Sequence, residues 1–460
     1  MERDKTTRTS EESGGLVRGL GLTQATALNV ANMVGIGPFI TIPQFLQSTG
    51  GPHAMVAWVL ALFVVACDGL VWSELGAALP GSGGTYHYLR EIFGHYSWGR
   101  LVAFLFIWQF LVTGALETAS GYVGAAGFLA YLIPGLNSAW LGGPFTGENF
   151  LAAGVAALVA LALCRNITSL GKITVILCAG TLLTVATVMV AGLMNFDSRT
   201  LGLGQVRVVY SWPLVLGLAG SMRVAIYDYL GYYNVCHLGD EVRDPGKTIP
   251  RAVLISVVLV AAIYMIMNIA IIGVIPWQEA MHSKNVVADF MTRIFNSRVA
   301  ALYTALIIWT ALAGLFAMTL GYSRIPYAAA RNGDFFGVFG KLHPTGHYPH
   351  VSLLFFGAIV VACCFLQLQV LVEAAVTIRI PMQFMSQILA LHVLRKSRPD
   401  VQMPFRMWLY PIPSLVAMAG WAFLLVTSSR TQLLVVFLVF VTGCVAFALW
   451  SLRGKSARMA

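Results

Sequence analysis

Apolar stretches of roughly twenty residues recur along almost the whole chain, separated by short polar links. Each is long enough to cross a ~30 Å hydrocarbon core as a helix. The pattern predicts twelve spans, at about 22–48, 53–79, 98–133, 150–164, 172–194, 211–238, 250–275, 298–331, 350–368, 370–394, 407–427 and 431–452. The third and eighth exceed what a bilayer needs, which implies strong tilt or extension past the membrane; the fourth is short. Spans one and six share an irregularity. Val34-Gly35-Ile36-Gly37-Pro38 interrupts the first, and Asp228-Tyr229-Leu230-Gly231-Tyr232-Tyr233 interrupts the sixth. Helix breakers at depth leave backbone groups that hydrocarbon cannot satisfy, so such segments must line protein or a wet cavity. Two breaks five helices apart predict an inverted repeat with a binding site near the midplane. Spans one to five (about 21–195) and six to ten (about 205–396) form the two repeats of a transporter core over 21–396. Accessory helices follow over 397–452, with polar tails at 1–20 and 453–460. Glycine also serves plain helix packing in membranes, and the chain has 45. Pro38 distinguishes the first break, because proline suits the first turn of a new helix, where its missing N–H would be unpaired anyway.

Composition sharpens this reading. The 460 residues are 58% hydrophobic and 10% charged, with mean hydropathy +0.77, whereas a soluble domain carries about 25% charged residues. Lipid must cover most of such a surface. The net charge of +10 is explained by topology rather than by nucleic acid. With the N-terminus inside, twenty Lys and Arg fall in cytoplasmic segments and six (Arg199, Arg207, Lys284, Arg293, Arg298, Arg430) outside. That bias places both termini in the cytoplasm of a multi-pass plasma-membrane protein, or inner-membrane protein if bacterial. The seven cysteines have no metal-like spacing and mostly lie in apolar runs, so neither disulfides nor a metal is expected. A polar start from Met1 to Arg18 and a long, Gly-rich first apolar run argue against a cleavable signal peptide.

Three stretches carry a family resemblance. They are Asn32-Met33-Val34-Gly35-Ile36-Gly37-Pro38-Phe39-Ile40; Ser73-Glu74-Leu75-Gly76 with Leu79-Pro80-Gly81-Ser82-Gly83-Gly84-Thr85-Tyr86-His87-Tyr88; and Tyr227 onward through Asp240-Glu241-Val242-Arg243-Asp244-Pro245 to Ile249-Pro250-Arg251. The second is similar to an E-L-G…P-x-S-G-G-x-Y-x-Y segment, and the third to F-x-Y-x-G…E-E-x-x-x-P-x-x-x-I-P-R. Ser323-Arg324 and Ala329-Ala330-Arg331-Asn332-Gly333 resemble the end of the eighth helix. On these residues the chain resembles the amino acid–polyamine–organocation superfamily. The resemblance implies an all-α membrane protein of LeuT-type fold, with broken helices one and six, that moves amino acids or polyamines by alternating access.

The chemistry of helix ends agrees with that implication. A half-helix N-terminus carries free N–H groups and partial positive charge, so the amides of Ile36 and Gly37 suit a substrate carboxylate. Carbonyls left free at the breaks, those of Met33, Tyr227 and Leu230, suit an ammonium. Gly35 and Gly231, at the two breaks, are counted with them as substrate-binding residues. Tyr227 corresponds to the aromatic that closes over substrate in the family. Some sodium-independent members have a lysine midway along the fifth helix. Here Cys178 stands at that place and Lys172 lies nearer the cytoplasmic end, so proton and sodium coupling both stay open.

Charges at membrane depth are costly and so are functional candidates. The acids are Asp68, Glu74, Glu117, Asp228 and Glu373; the bases are Arg223, Arg324 and Arg379. Glu74 and Arg324 read as structural, Arg223 and Asp228 as mutually neutralising, and Glu373 and Arg379 as pairing with neighbouring helices. Asp68 reads equally as a buried protonated acid or a site residue. Glu117, in a span that borders the site in this fold, reads as a substrate contact, and with Asp228 would favour a cationic substrate. His237 reads as satisfied packing ahead of a proton relay.

No H-E-x-x-H, G-x-S-x-G or G-x-x-x-x-G-K-[ST] occurs, so neither an enzyme nor an ATP-driven pump is expected, and no cofactor. The alternatives are an ion channel, which usually repeats its filter by oligomerisation, and a non-transporting sensor of amines. The expected partners are a small amine substrate and lipid, not nucleic acid, in a monomer or homodimer.

Overall fold

The computed structural model describes residues 19–459 apart from Ile36, Ser82, 139–144, 165–169, 202–210 and 345–347; side chains are also left out at Pro38, Pro134, Asn137, 170–178, Ala313, Ala317, Leu320 and 453–459. Among the described residues there is no β-strand beyond an isolated bridge between Leu20 and Val242. Among the described residues six helices are long and apolar enough to cross a membrane. Shorter apolar helices at Gly147–Ala162, Ala179–Met194, His350–Cys363 and Ile412–Val426 lie between them.

The first predicted span is two helices, α1 (Leu22–Met33) and α2 (Gly37–Thr49). α3 (Ala54–Ala78) follows, then the short α4 (Thr85–Phe93), the 34-residue α5 (Gly99–Leu132), α6 (Gly147–Ala162) and α7 (Leu170–Met194). The sixth predicted span is also broken, into α8 (Trp212–Tyr229) and the single turn α9 (Asn234–His237). α10 (Pro245–Ile272) starts on a proline, where no donor is lost. Two short helices, α11 (Trp277–Ala280) and α12 (Val286–Ile294), lead to α13 (Ser297–Tyr322), α14 (Arg324–Arg331) and α15 (His350–Cys363). α16 (Leu368–Arg379) and α17 (Ser386–Ser397) are joined by a π-helical stretch, Ile380–Met385. Pro381 explains it: without an N–H the α ladder cannot run through that residue. α18 (Ile412–Val426) and α19 (Arg430–Met459) complete the chain.

The broken pair sits at the centre. α2 packs on α8, α1 on α10, and α3 on both α8 and α10, while α5 packs on α13 and α16. The α2–α8 crossing is close enough that a Cβ on Gly217 would stand 2.5 Å from the Ser48 carbonyl oxygen. Each break is closed by a side chain from far along the chain. Asn29 of α1 donates through Nδ2 to the Tyr232 carbonyl (2.6 Å) and accepts the Val235 N–H through Oδ1 (2.9 Å). Tyr264 of α10 donates its hydroxyl to the Met33 carbonyl at 2.5 Å. This is how a fold without water at depth satisfies broken helices.

Several charges are settled here. Glu74 is fully buried, receives a bidentate grip from Arg395 (2.6 and 2.7 Å), and accepts the Met407 N–H (2.9 Å). Its structural reading therefore holds. Asp68 accepts from the Tyr232 hydroxyl (2.5 Å) and the Trp421 indole (3.2 Å), which makes it part of the core. Glu373 accepts from Gln369 (3.0 Å) and from Gln432. Arg324 is exposed. His237 packs edge-on against Trp72 and Tyr233, which stack on each other, but neither of its ring nitrogens has a hydrogen-bond partner among the described residues, so its packing is not the satisfied one expected. Outside the spans, Asp334 accepts from Tyr86 (2.7 Å) and pairs with Arg90 (2.9 Å). Burial, then that carboxylate, pushes the Tyr86 hydroxyl well above its ordinary range. The six cysteines among the described residues are free.

Candidate functional site

The two breaks face one cavity of about 40 Å³. Its wall includes seven of the residues nominated from sequence: Met33, Gly35, Gly37, Glu117, Tyr227, Asp228 and Leu230. Ile36 lies outside the described residues, as do the side chains of Cys178 and Lys172. Gly231 does not line the cavity. It takes φ +110°, and a Cβ there would press on Asn32 at 3.2 Å, so its role is to turn the chain closely past α1. Gly37 differs in kind. It is not among the described glycines with positive φ, so close approach rather than left-handed backbone requires it. A Cβ on Gly37 would stand 2.5 Å from Asp228 Oδ1.

The rest of the wall is Asn32, Gly121, Ala311, Gly314, Leu315 and Met318. The last four come from α13 at positions i, i+3, i+4 and i+7, one face of a helix. That spacing, with two small residues in it, was the available signal. It is also the ordinary signature of helix packing, and Gly121 against Leu315 is such a contact.

The free-carbonyl expectation requires correction. Met33's carbonyl already accepts from the Tyr264 hydroxyl and the Gly35 N–H (2.9 Å), and Tyr227's accepts the Leu230 N–H (3.1 Å). A carbonyl offers two lone pairs, so Met33 has none left, Tyr227 has one, and among the described residues no hydrogen bond engages Leu230's oxygen.

The charges in the wall also differ from expectation. Glu117 Oε2 is held by Arg379 Nη2 at 2.5 Å and by the Tyr322 hydroxyl at 3.0 Å. Arg379 is fully buried, just before the π-helical stretch that offsets the following helix. The pair balances, so Glu117 adds no net charge to the cavity. Arg223 and Asp228 do not neutralise each other. Arg223 donates to the Leu424 carbonyl (3.4 Å), whereas Asp228 Oδ2 accepts from Thr41 (2.6 Å). The five-residue spacing puts them on different faces of α8, and no distortion intervenes before Tyr229.

Tyr227 lines the cavity, and its hydroxyl shares a 2.6 Å hydrogen bond with Ser120 of α5. Tyr227→Phe keeps the ring and loses only this bond. Its expected cost is about 1 kcal/mol of stability, read as a small drop in the thermal midpoint, with transport retained.

A family model described as amino acid permease matches residues 20–450. The large neutral amino acids transporter small subunit 2 of Homo sapiens is 26% identical over 454 residues, covering 93% of this chain and 79% of that protein. The Asc-type amino acid transporter 1 of Mus musculus is 27% identical, with 96% and 82% covered. The serine/threonine exchanger SteT of Bacillus subtilis (strain 168) is 24% identical, with 90% and 92% covered.

Proposed function

The chain belongs to the amino acid permease family, and from that premise we propose that it carries neutral amino acids across the plasma membrane by alternating access. Membership makes it a transporter; the channel, sensor and enzyme readings fall with it. The observation that carries the choice of substrate is the Glu117–Arg379 pair. A free acid at Glu117 would favour an extra positive charge on the substrate. A balanced one leaves a wall suited to a zwitterion, with helix-end N–H groups at Gly37 for the carboxylate and the carbonyls of Leu230 and Tyr227 for the ammonium. The similarity to relatives named for large neutral amino acids and for serine and threonine supports the same class, and the last name favours exchange.

The architecture proposed with it is twelve spans in a LeuT-type arrangement, with repeats at about 21–195 and 205–396, accessory helices over 397–452 and both termini cytoplasmic. Asn32, Met33, Gly35, Ile36, Gly37, Tyr227, Asp228 and Leu230 surround the substrate, with Gly231 shaping the second break and Glu117 set back in its ion pair. A cavity of about 40 Å³ has room for little more than water. The wall must therefore open to admit an amino acid, as alternating access requires.

Proteoliposomes loaded with unlabelled amino acid test the reading. Labelled leucine, alanine or serine should enter at least about tenfold faster than arginine or putrescine, the kinetic equivalent of ~1.4 kcal/mol. Uptake of arginine or putrescine with none of the neutral amino acids would sink it.

A further inference from the structure

We propose that Asp228 is a proton-binding site which couples entry of the amino acid to uptake of one proton. This rests on the reading of the cavity as the amino acid site. Asp228 is 2% exposed and lines the cavity wall. Its Oδ2 accepts from Thr41 at 2.6 Å, and its Oδ1 has no hydrogen-bond partner among the described residues. That free oxygen is aimed at the start of α2, 2.5 Å from where a Cβ on Gly37 would stand. No described Lys, Arg or His forms an ion pair with it.

The groups around it confirm the shortage of positive charge. From its own helix come Tyr227 and Tyr229, from α10 Tyr264, and from α2 Thr41. Across the cavity stands Glu117 of α5, already balanced by Arg379 of α16. Arg223, five residues earlier and on another face of α8, is bonded to the Leu424 carbonyl.

The Gly37 turn is where helix-end amides would receive the substrate carboxylate. An ionised Asp228 would place a second carboxylate at that same turn. Two carboxylates sharing one site cannot both stay ionised; one must hold a proton. The substrate's own carboxylate is the stronger acid and is held by amides, so the proton resides on Asp228.

The cycle then balances. Asp228, open to one side, takes a proton from water and forms an Oδ1–H bond. The zwitterion enters and its carboxylate accepts that O–H. After the cavity opens to the other side, the zwitterion leaves, the O–H bond breaks, and the proton returns to water. One neutral amino acid moves with one positive charge.

The test is the pH dependence of binding between about pH 5 and 8, a range in which a free neutral amino acid stays a zwitterion, so that only the protein titrates. Wild-type affinity for alanine or leucine should fall by up to about tenfold per pH unit on the alkaline limb, the limit for one linked proton. Asp228→Asn keeps the size and an N–H donor, and its affinity should be flat with pH. In proteoliposomes that hold no amino acid inside, so that no return half-cycle carries the proton back, added substrate should acidify the lumen with wild type and not with Asp228→Asn. A flat wild-type profile, an Asp228→Asn protein that keeps the slope, or uptake that follows a sodium gradient instead would overturn the proposal. If Asp228→Asn does not fold, Thr41→Val decides, since it removes the hydroxyl on Oδ2. A displaced pH profile supports the site and an untouched one rejects it. Failure of wild type to bind any neutral amino acid removes the substrate reading itself; binding without pH dependence removes only the proton site.

Discussion

Arg379→Met should destabilise the protein by about 3–5 kcal/mol, because it leaves Glu117 buried without a counter-charge. Arg379 is fully buried and Glu117 is 7% exposed, so water cannot take over the lost role. Glu117→Gln should also be harmful, since it strands the guanidinium, whose Nε already lacks a hydrogen-bond partner among the described residues. The double variant Glu117→Gln/Arg379→Met removes both charges, and should recover much of the loss. Thermal midpoints of the three proteins in one detergent measure this as a double-mutant cycle. A double variant as unstable as the sum of the singles would show that the pair is not what holds α5 to α16. The same series tests the substrate reading. Arg379→Met protein that remains folded exposes an acid to the cavity, and should gain binding of cationic amino acids relative to neutral ones.

Gly37→Val should abolish transport while leaving a folded protein. Even the Cβ would stand 2.5 Å from Asp228 Oδ1 and 3.6 Å from the Tyr227 ring. Asp228 cannot simply swing aside, because Thr41 holds its other oxygen at 2.6 Å. The substitution therefore displaces either α2 or the Asp228 carboxyl, and both border the cavity. Binding should weaken by well over tenfold, beyond ~1.4 kcal/mol, with a monodisperse size-exclusion profile retained. A loss of stability parallel to the loss of binding would instead assign Gly37 to helix packing. Gly35 is the control. A Cβ there meets nothing within 4 Å, so Gly35→Ala should fold normally and act only by narrowing the cavity, most visibly for the larger substrates.

Much of the site was legible in the sequence because breaks are local events. Glycine within an apolar run announces both, with proline added at the first, but the breaks are narrower than the segments Val34 to Pro38 and Asp228 to Tyr233. Gly37 and Pro38 already belong to α2, and Asp228 and Tyr229 still belong to α8, so the second helix is interrupted only from Leu230 to Tyr233. Tyr227 and Asp228 follow from lying at the second break. The α13 face of Ala311, Gly314, Leu315 and Met318 was not singled out, because small residues at helical spacing mark ordinary packing just as well. Asn29 and Tyr264 were missed for a different reason. Nothing near Asn29 in sequence reveals that its amide serves the backbone at Tyr232 and Val235, more than 200 residues away.

By itself the sequence determined the solvent of this protein, the recurrence of its apolar helices, the two places where they break and the family to which it belongs. Each depends on run length, on residues that cannot continue a helix, or on motifs a few residues long. Only the tertiary structure decided which charges remain uncompensated. Glu117 and Arg379 are 262 positions apart, and Arg223 and Asp228 only five, yet the distant pair meets and the near one does not. The cause is geometric. A helix fixes the direction of each side chain about its axis, but only the packing of one helix on another determines which directions coincide. In a buried wall, that coincidence separates a carboxylate balanced by an arginine from one left to bind a proton.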